Sequence, residues 1–196
     1  MTPIYLASAS PRRSQLLHQI RVAHRVRPVD LDESRLSNEA PDQYVRRLAT
    51  SKATAVWKQL SDSERLPVLG ADTTVALGQE IFGKPENRLD GIEMLRRLAG
   101  RTHQVYTAVA LQSAMACDVR LSVSEVTFGS LSESERAAYW ETGEPLGKAG
   151  GYAVQGLAAA FIVRIVGSYS GIMGLPLAET AELLQHARCW TLGMQG

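Results

Sequence analysis

Residues 105–128 read VYTAVALQSAMACDVRLSVSEVTF. Val105 to Leu111 and Val119 to Phe128 are rich in β-branched and apolar side chains, and small residues near Ser113 lie between them. Two such runs joined by a small-residue stretch predict an antiparallel hairpin. Working outward, Pro67 to Gly78 is another strand-like run of Val, Leu and Thr, and Ile4 to Leu6 is a short buried strand. Helical periods fall between these runs. Ser10 and Pro11 supply an N-cap and a first helical position ahead of Leu16, Leu17 and Ile20. Pro41 opens a second helix, with Tyr44, Val45, Leu48, Ala49, Ala53, Val56 and Leu60 on one face. Ile92, Leu95, Leu98 and Ala99 mark a third helix, stopped by Gly100. Ser132 with Glu135 forms a capping box for a helix through Trp140. A further strand is expected over Ala159 to Val166, and Pro176 opens a last helix carrying Leu177, Leu183 and Leu184. Interleaved strands and helices with one antiparallel pair predict an α/β fold, a mixed sheet wrapped by helices. No repeat, low-complexity tract or long linker divides the sequence, so 1–196 reads as a single domain. Thr191 to Gly196 are expected to be loose.

The 196 residues are enough to bury about 70% of the extended-chain surface without a disulfide or metal staple. Lys and Arg number 21 against 20 Asp and Glu, a net charge of +1. Near-neutrality argues against wholesale binding to nucleic acid. There is no apolar run long enough for a membrane span, and the N-terminus lacks the basic n-region of a signal peptide. Cys117 and Cys189 give no disulfide framework, and His18, His24, His103 and His186 are scattered, so a reducing cytoplasmic setting is expected. The charge is unevenly placed. The first 29 residues hold five arginines and no acid, whereas Asp30 to Asp42 hold five acids and one arginine. Such asymmetry is either solvated surface or the opposing walls of one site.

Four segments could carry chemistry. LASASPRR, residues 6–13, runs from a strand through a small-residue turn into a helix N-terminus with Arg12 and Arg13. That is an anion site, or simply a capped helix with solvated arginines. Asp72 in GADTT follows small residues in an apolar strand. Burial there is costly unless the carboxylate is paired or binds a cation, which makes it a metal ligand or general base, or else a turn Asp bonded locally. Lys84 in Gly83-Lys84-Pro85 is held extended before the proline, and could aim a charge at phosphate or face solvent. KAGGYAVQG, residues 148–156, permits close backbone approach, and Gln155 could read a base edge, or the segment is a flexible loop. By themselves, Lys52 reads as a surface charge, Glu33 as part of an acidic loop and His103 as a hydrogen-bonded structural histidine.

Together, LASASPRR, GADTTV, GKP, GRTHQVYTAV, KAGGYAVQG and GSYSGIMGLPL resemble the Maf family of nucleoside triphosphate pyrophosphatases, in family order across residues 4–177. The resemblance implies a mixed, strongly curved sheet flanked by helices, with two lobes and a cleft. It implies hydrolysis of a nucleoside triphosphate to monophosphate and pyrophosphate, with a divalent metal, Mg²⁺ or Mn²⁺. Carried over by motif, Asp72 is the expected general base or metal-water activator, Glu33 and Asp72 would hold the metal, and Ser8, Arg13, Lys52, Lys84 and Glu33 would line the phosphate and metal end of the cleft. Arg12, Thr73 and Gln155 resemble the dTTP/UTP branch and would face the base. The 7-methyl-GTP branch is the runner-up, since its methylated purine would favour an aromatic or acidic pocket not evident here. A nucleotide-binding regulator of septum formation with little catalysis is the alternative from another class. A homodimer also fits the family. Gly147 stands where the family commonly has Asp, and Gly171 where Asn is frequent.

Overall fold

The computed structural model describes residues 3–191. Seven strands form one open mixed sheet: β1 (Ile4–Leu6), β2 (His24–Val26), β3 (Val68–Leu77), β4 (Glu80–Phe82), β5 (Thr102–Gln112), β6 (Cys117–Phe128) and β7 (Ile162–Val166). Six helices accompany it among the described residues: α1 (Pro11–Gln19), α2 (Pro41–Lys58), α3 (Arg88–Leu98), α4 (Glu133–Glu141), α5 (Tyr169–Ile172) and α6 (Leu177–His186). The strand order is β2-β1-β3-β5-β6-β7, with β4 beside β3. β1 runs parallel to β2 and β3, and the other pairs are antiparallel. The expected hairpin is β5–β6, paired from Thr102↔Thr127 to Gln112↔Cys117.

Most expected elements lie where the periodicity puts them, and the differences have local causes. Ser10 sits at the N-cap of α1, but its side chain makes no capping bond, and Ile20 lies just beyond the helix end. Helix α3 starts early, at Arg88, because the Asn87 side chain accepts from the Asp90 N–H. The expected strand over Ala159 to Val166 begins only at Ile162; Leu157–Ala160 is a 3₁₀ turn instead. Strands β2 and β4 and helix α5 are too short to carry a readable period. The expected looseness of the C-terminus falls mainly on residues 192–196, outside the described part.

The alternation along β3 and β5 divides the core. On one face, Leu69, Ala71, Val109 and Leu111 pack with Leu16 and Leu17 of α1 and Leu183 and Leu184 of α6. Farther along that same face, Val75 and Val105 join Leu95, Leu98, Phe128 and Tyr139. Between the two clusters sit Thr73 and Thr107, paired across the strands. This polar seam separates two apolar lobes, and a cleft opens above it. The opposite face is covered by α2, whose Val45, Ala49, Ala53 and Val56 meet Val68, Ala108 and Ala110.

Close packing of α2 on β3 depends on Gly70. A Cβ there would lie 2.3 Å from the Ala49 carbonyl oxygen and 2.7 Å from the Ala53 nitrogen, both backbone atoms. Gly70→Ala is therefore expected to destabilise the protein by about 1–3 kcal/mol. Denaturant unfolding checks this, and an unchanged midpoint would refute the close approach.

One feature of the sheet positions the site. β1 pairs with β3 only as far as Leu69, and β4 pairs only from Val75. Residues 70–74 of β3 thus have a strand on the β5 side alone. This notch lies beyond the carboxyl end of β1, where parallel strands commonly present a ligand crevice. Asp72 and Thr73 point to opposite faces of β3, and the notch lets both line one cavity of about 490 Å³.

Candidate active site

The centre of the cavity is a three-residue charge cluster. Lys52 Nζ lies 2.6 Å from Glu33 Oε1 and 2.7 Å from Asp72 Oδ1. Asp72 and Lys52 are both buried, and Glu33 is partly exposed. Lys52 is thus no surface charge. Slot 52 falls on the apolar stripe of α2 between Leu48, Ala49, Ala53 and Val56, so the helical period carries Lys52 inward against β3. Lys84, just after β4, lies 3.7 Å from the other Glu33 oxygen.

The two carboxylates are driven apart in acidity. Burial raises the Asp72 pKa above the ordinary carboxylate value, with Lys52 and Arg13 only partly opposing it. Burial also pushes Glu33 upward, but the hydrogen bond and charge of Lys52, with Lys84 and Arg13, hold it below its usual value. The two shifts are opposed: Asp72 holds a proton more readily than an ordinary carboxylate, and Glu33 less readily.

Arg13 anchors the second group. Its Nε donates to the Gly174 carbonyl at 2.8 Å, Nη1 to Ser8 Oγ at 3.0 Å and Nη2 to Thr73 Oγ1 at 3.2 Å. Burial lowers its pKa, opposed by the charge of Asp72, yet a guanidinium remains protonated. Ser8 Oγ accepts from Arg13 and also from the Ser10 N–H at 3.2 Å. With both lone pairs engaged, Ser8 has only its proton to offer, which suits an anion.

Arg12 and Gln155 line the same cavity. Gln155 is exposed in a turn whose flanks are tied down: Glu144 accepts from the Leu157 N–H at 2.8 Å, the Ala158 N–H at 3.1 Å and the Tyr139 hydroxyl at 2.7 Å. A Cβ on Gly156 would stand 2.2 Å from the Glu144 carboxylate, which would have to shift from these bonds to admit it. All nine residues singled out by motif, Ser8, Arg12, Arg13, Glu33, Lys52, Asp72, Thr73, Lys84 and Gln155, therefore line one cavity.

Among the described residues no group of three or more His, Cys, Asp or Glu could hold a metal by itself. Two hard carboxylates are nonetheless enough for Mg²⁺, which keeps waters and takes substrate phosphate oxygens as its other ligands. Glu33 and Asp72 share one ammonium, so their oxygens already converge on a cation. The donor set fits such a metal.

A family model described as Maf-like protein matches residues 3–187. The chain belongs to the Maf family. Among relatives of this Maf protein, one from Xanthomonas axonopodis pv. citri, named dTTP/UTP pyrophosphatase, is 51% identical over 92% of this chain and 96% of its own length. One of the same name from Methylobacillus flagellatus is 50% identical over 95% and 93%, and one from Hahella chejuensis is 48% identical over 93% and 90%. The solved Staphylococcus aureus Ham1 protein overlaps 64% of the Maf chain and 71% of its own, with a TM-score of 0.46 and 16% identity.

Several residues of the Maf site escape a reading by motif. Tyr44 has the period of a core residue, but it lines the cavity and its hydroxyl donates to the Glu33 carbonyl at 2.9 Å. Arg47 donates to the Ser34 carbonyl at 3.0 Å while its guanidinium grips buried Glu39 at 2.6 and 2.8 Å. These bonds hold the irregular loop that carries Glu33. Tyr152 also lines the cavity, but it is 5% exposed and packs edge-on against Phe128 and His103. Gly147 and Gly171 are sterically distinct glycines. Gly147 has φ +69° with open space around it, whereas a Cβ on Gly171 would meet Ser168 at 3.1 Å.

His103 is structural, as the sequence suggests. It is buried, and its Nε2 lies 2.8 Å from the Tyr152 hydroxyl while Nδ1 has no partner. Burial lowers its pKa from 6.5 to about 4. Above pH 6.5 the ring is neutral in folded and unfolded chains, and its contribution is fully present. As pH falls toward 4 the unfolded chain takes the proton first, so stability drops by about 3 kcal/mol. His103→Gln is expected to flatten this part of the stability profile in denaturant titrations. An equally steep profile in the variant would exclude His103 as the cause.

Proposed function

We propose that this protein hydrolyses dTTP and UTP to the nucleoside monophosphate and pyrophosphate, and that its 196 residues act as one catalytic domain. The observation that carries the reading is the Glu33–Lys52–Asp72 cluster in the notch of β3, facing the donors of Ser8 and Arg13. Near-full-length relatives named dTTP/UTP pyrophosphatase support the same activity.

In the proposed reaction a water oxygen attacks the α-phosphorus. The bond from that phosphorus to the bridging oxygen breaks, and pyrophosphate leaves. Asp72 takes the proton of the attacking water, as its raised pKa favours. Arg13, Ser8, Lys52 and Lys84 offset the charge on the phosphate chain as the leaving group departs. Glu33 and Asp72 would hold Mg²⁺ or Mn²⁺, which when bound polarises phosphate oxygens and lowers the pKa of water. Arg12, Thr73 and Gln155 meet the base, and an amide and a hydroxyl suit the O2, N3 and O4 edge of a pyrimidine.

Pyrophosphate release from dTTP, UTP, CTP and 7-methyl-GTP, with and without Mg²⁺, tests the proposal. Release from dTTP and UTP is expected to dominate. Preference for 7-methyl-GTP would reassign the branch, and binding without release from any of them would favour the septum regulator.

A further inference from the structure

Gln155 reaches the cavity from a turn that is fastened by residues outside it. The Gly156 N–H donates to the Ala153 carbonyl at 3.0 Å and closes the turn, so Val154 and Gln155 are its two central residues. Both flanks of the turn lead to one pair of side chains. Before Gln155, the Ala153 N–H donates to the Tyr139 hydroxyl at 3.3 Å. After it, the Leu157 N–H donates to Glu144 Oε2 at 2.8 Å and the Ala158 N–H to Glu144 Oε1 at 3.1 Å. The Tyr139 hydroxyl gives its own proton to Glu144 Oε1 at 2.7 Å, which joins the two flanks into one network. Leu157 and Ala158 open the 3₁₀ turn, so the carboxylate caps its free N–H groups with charge-assisted bonds. Lys148 Nζ donates to the Glu144 carbonyl, which ties the start of the segment to the same residue. Tyr139 lies in α4 and Glu144 just beyond its end, and neither lines the cavity.

We propose that Tyr139 and Glu144 are specificity-positioning residues: they hold the turn that aims Gln155 at the base of a bound triphosphate, and through it they set the preference for UTP over CTP. The inference rests on the reading that Gln155 faces the base. Uracil and cytosine have nearly the same shape and differ at N3 and at the group on C4. They are told apart by hydrogen bonds rather than by bulk. Gln155 is exposed, so its amide is placed by the backbone that carries it rather than by side-chain packing. Hydrogen-bonding geometry of this kind tolerates displacement of only about 0.5 Å, and the residues behind it decide whether that is met. A loosened turn would contact both bases equally poorly. The Glu33–Lys52–Asp72 cluster stands on other elements and would keep its geometry.

The test is the ratio of kcat/KM for UTP to that for CTP. Tyr139→Phe keeps the ring, which packs edge-on against Phe161, and removes only the hydroxyl that joins the two flanks. The ratio is expected to fall by about 10-fold, through KM rather than kcat. Glu144→Gln keeps the shape but loses the charge and sets an amino group against one of the three donors. It carries the same expectation, including where the phenylalanine variant does not fold. Gln155→Ala supplies the background that separates positioning from mere structure. There, Tyr139→Phe is expected to change the ratio by less than about 2-fold, because residues acting through one contact are not additive. An unchanged ratio in the clamp variants, a uniform fall for both substrates, or an equal shift in the Gln155→Ala background would overturn the proposal. If Gln155→Ala alone leaves the ratio intact, Gln155 does not read the base and the proposal falls with that reading. Failure of the wild-type protein to hydrolyse any triphosphate would remove the underlying activity itself.

Discussion

Asp72→Asn is expected to lower pyrophosphate release by about 10²–10⁴-fold while the protein stays folded. The asparagine side chain has nearly the same shape, and its carbonyl oxygen can still accept from Lys52 Nζ, now 2.7 Å from Asp72 Oδ1. What disappears is the basic oxygen. Burial at the sheet notch raises the affinity of the Asp72 carboxylate for a proton, and an amide has none to offer. The loss should appear in kcat at saturating triphosphate and Mg²⁺, with nearly unchanged thermal unfolding. Turnover close to wild type would remove Asp72 from the proton transfer.

Lys52→Met is expected to cost both stability and activity. The ammonium stands between Glu33 and Asp72 at 2.6 and 2.7 Å, and its side chain is 10% exposed. Removing it leaves a buried carboxylate without a partner and two anions converging on one apolar group. Breaking a buried pair in this way costs about 3–5 kcal/mol. At about 2–4 °C per kcal/mol for a chain of this size, Tm should fall by roughly 6–20 °C. Millimolar Mg²⁺ should restore part of that loss in the variant and little in the wild type, because a cation can replace the missing charge. A variant with wild-type Tm would show that Lys52 is not the central counter-ion.

Much of this could be read before any fold was known. The β5–β6 hairpin follows from β-branched runs around a small-residue turn, and α2 from its proline start and apolar stripe. The cost of burying Asp72 in a run of small and apolar residues was also legible, although the partner that offsets it was not. Lys52 shows why. Its slot on the α2 stripe carries the information that it points inward, but an exposed lysine is so common that the type outweighs the position. Glu33 lies in a loop without period, so nothing local shows that Tyr44 and Arg47 fasten it.

By itself the sequence determined the α/β class, the hairpin, the long helices and, through its ordered motifs, the family. Those properties rest on turn chemistry and side-chain period, which act over a few residues, and on motif identity. The tertiary structure alone decided that β1 stops short and β4 starts late, which opens the notch at residues 70–74. It also decided that Lys52 stands between Glu33 and Asp72, and that Arg13 reaches Gly174, 161 residues away. Charge pairing and hydrogen-bond direction depend on which groups meet in space, and only the packed sheet and helices bring these together.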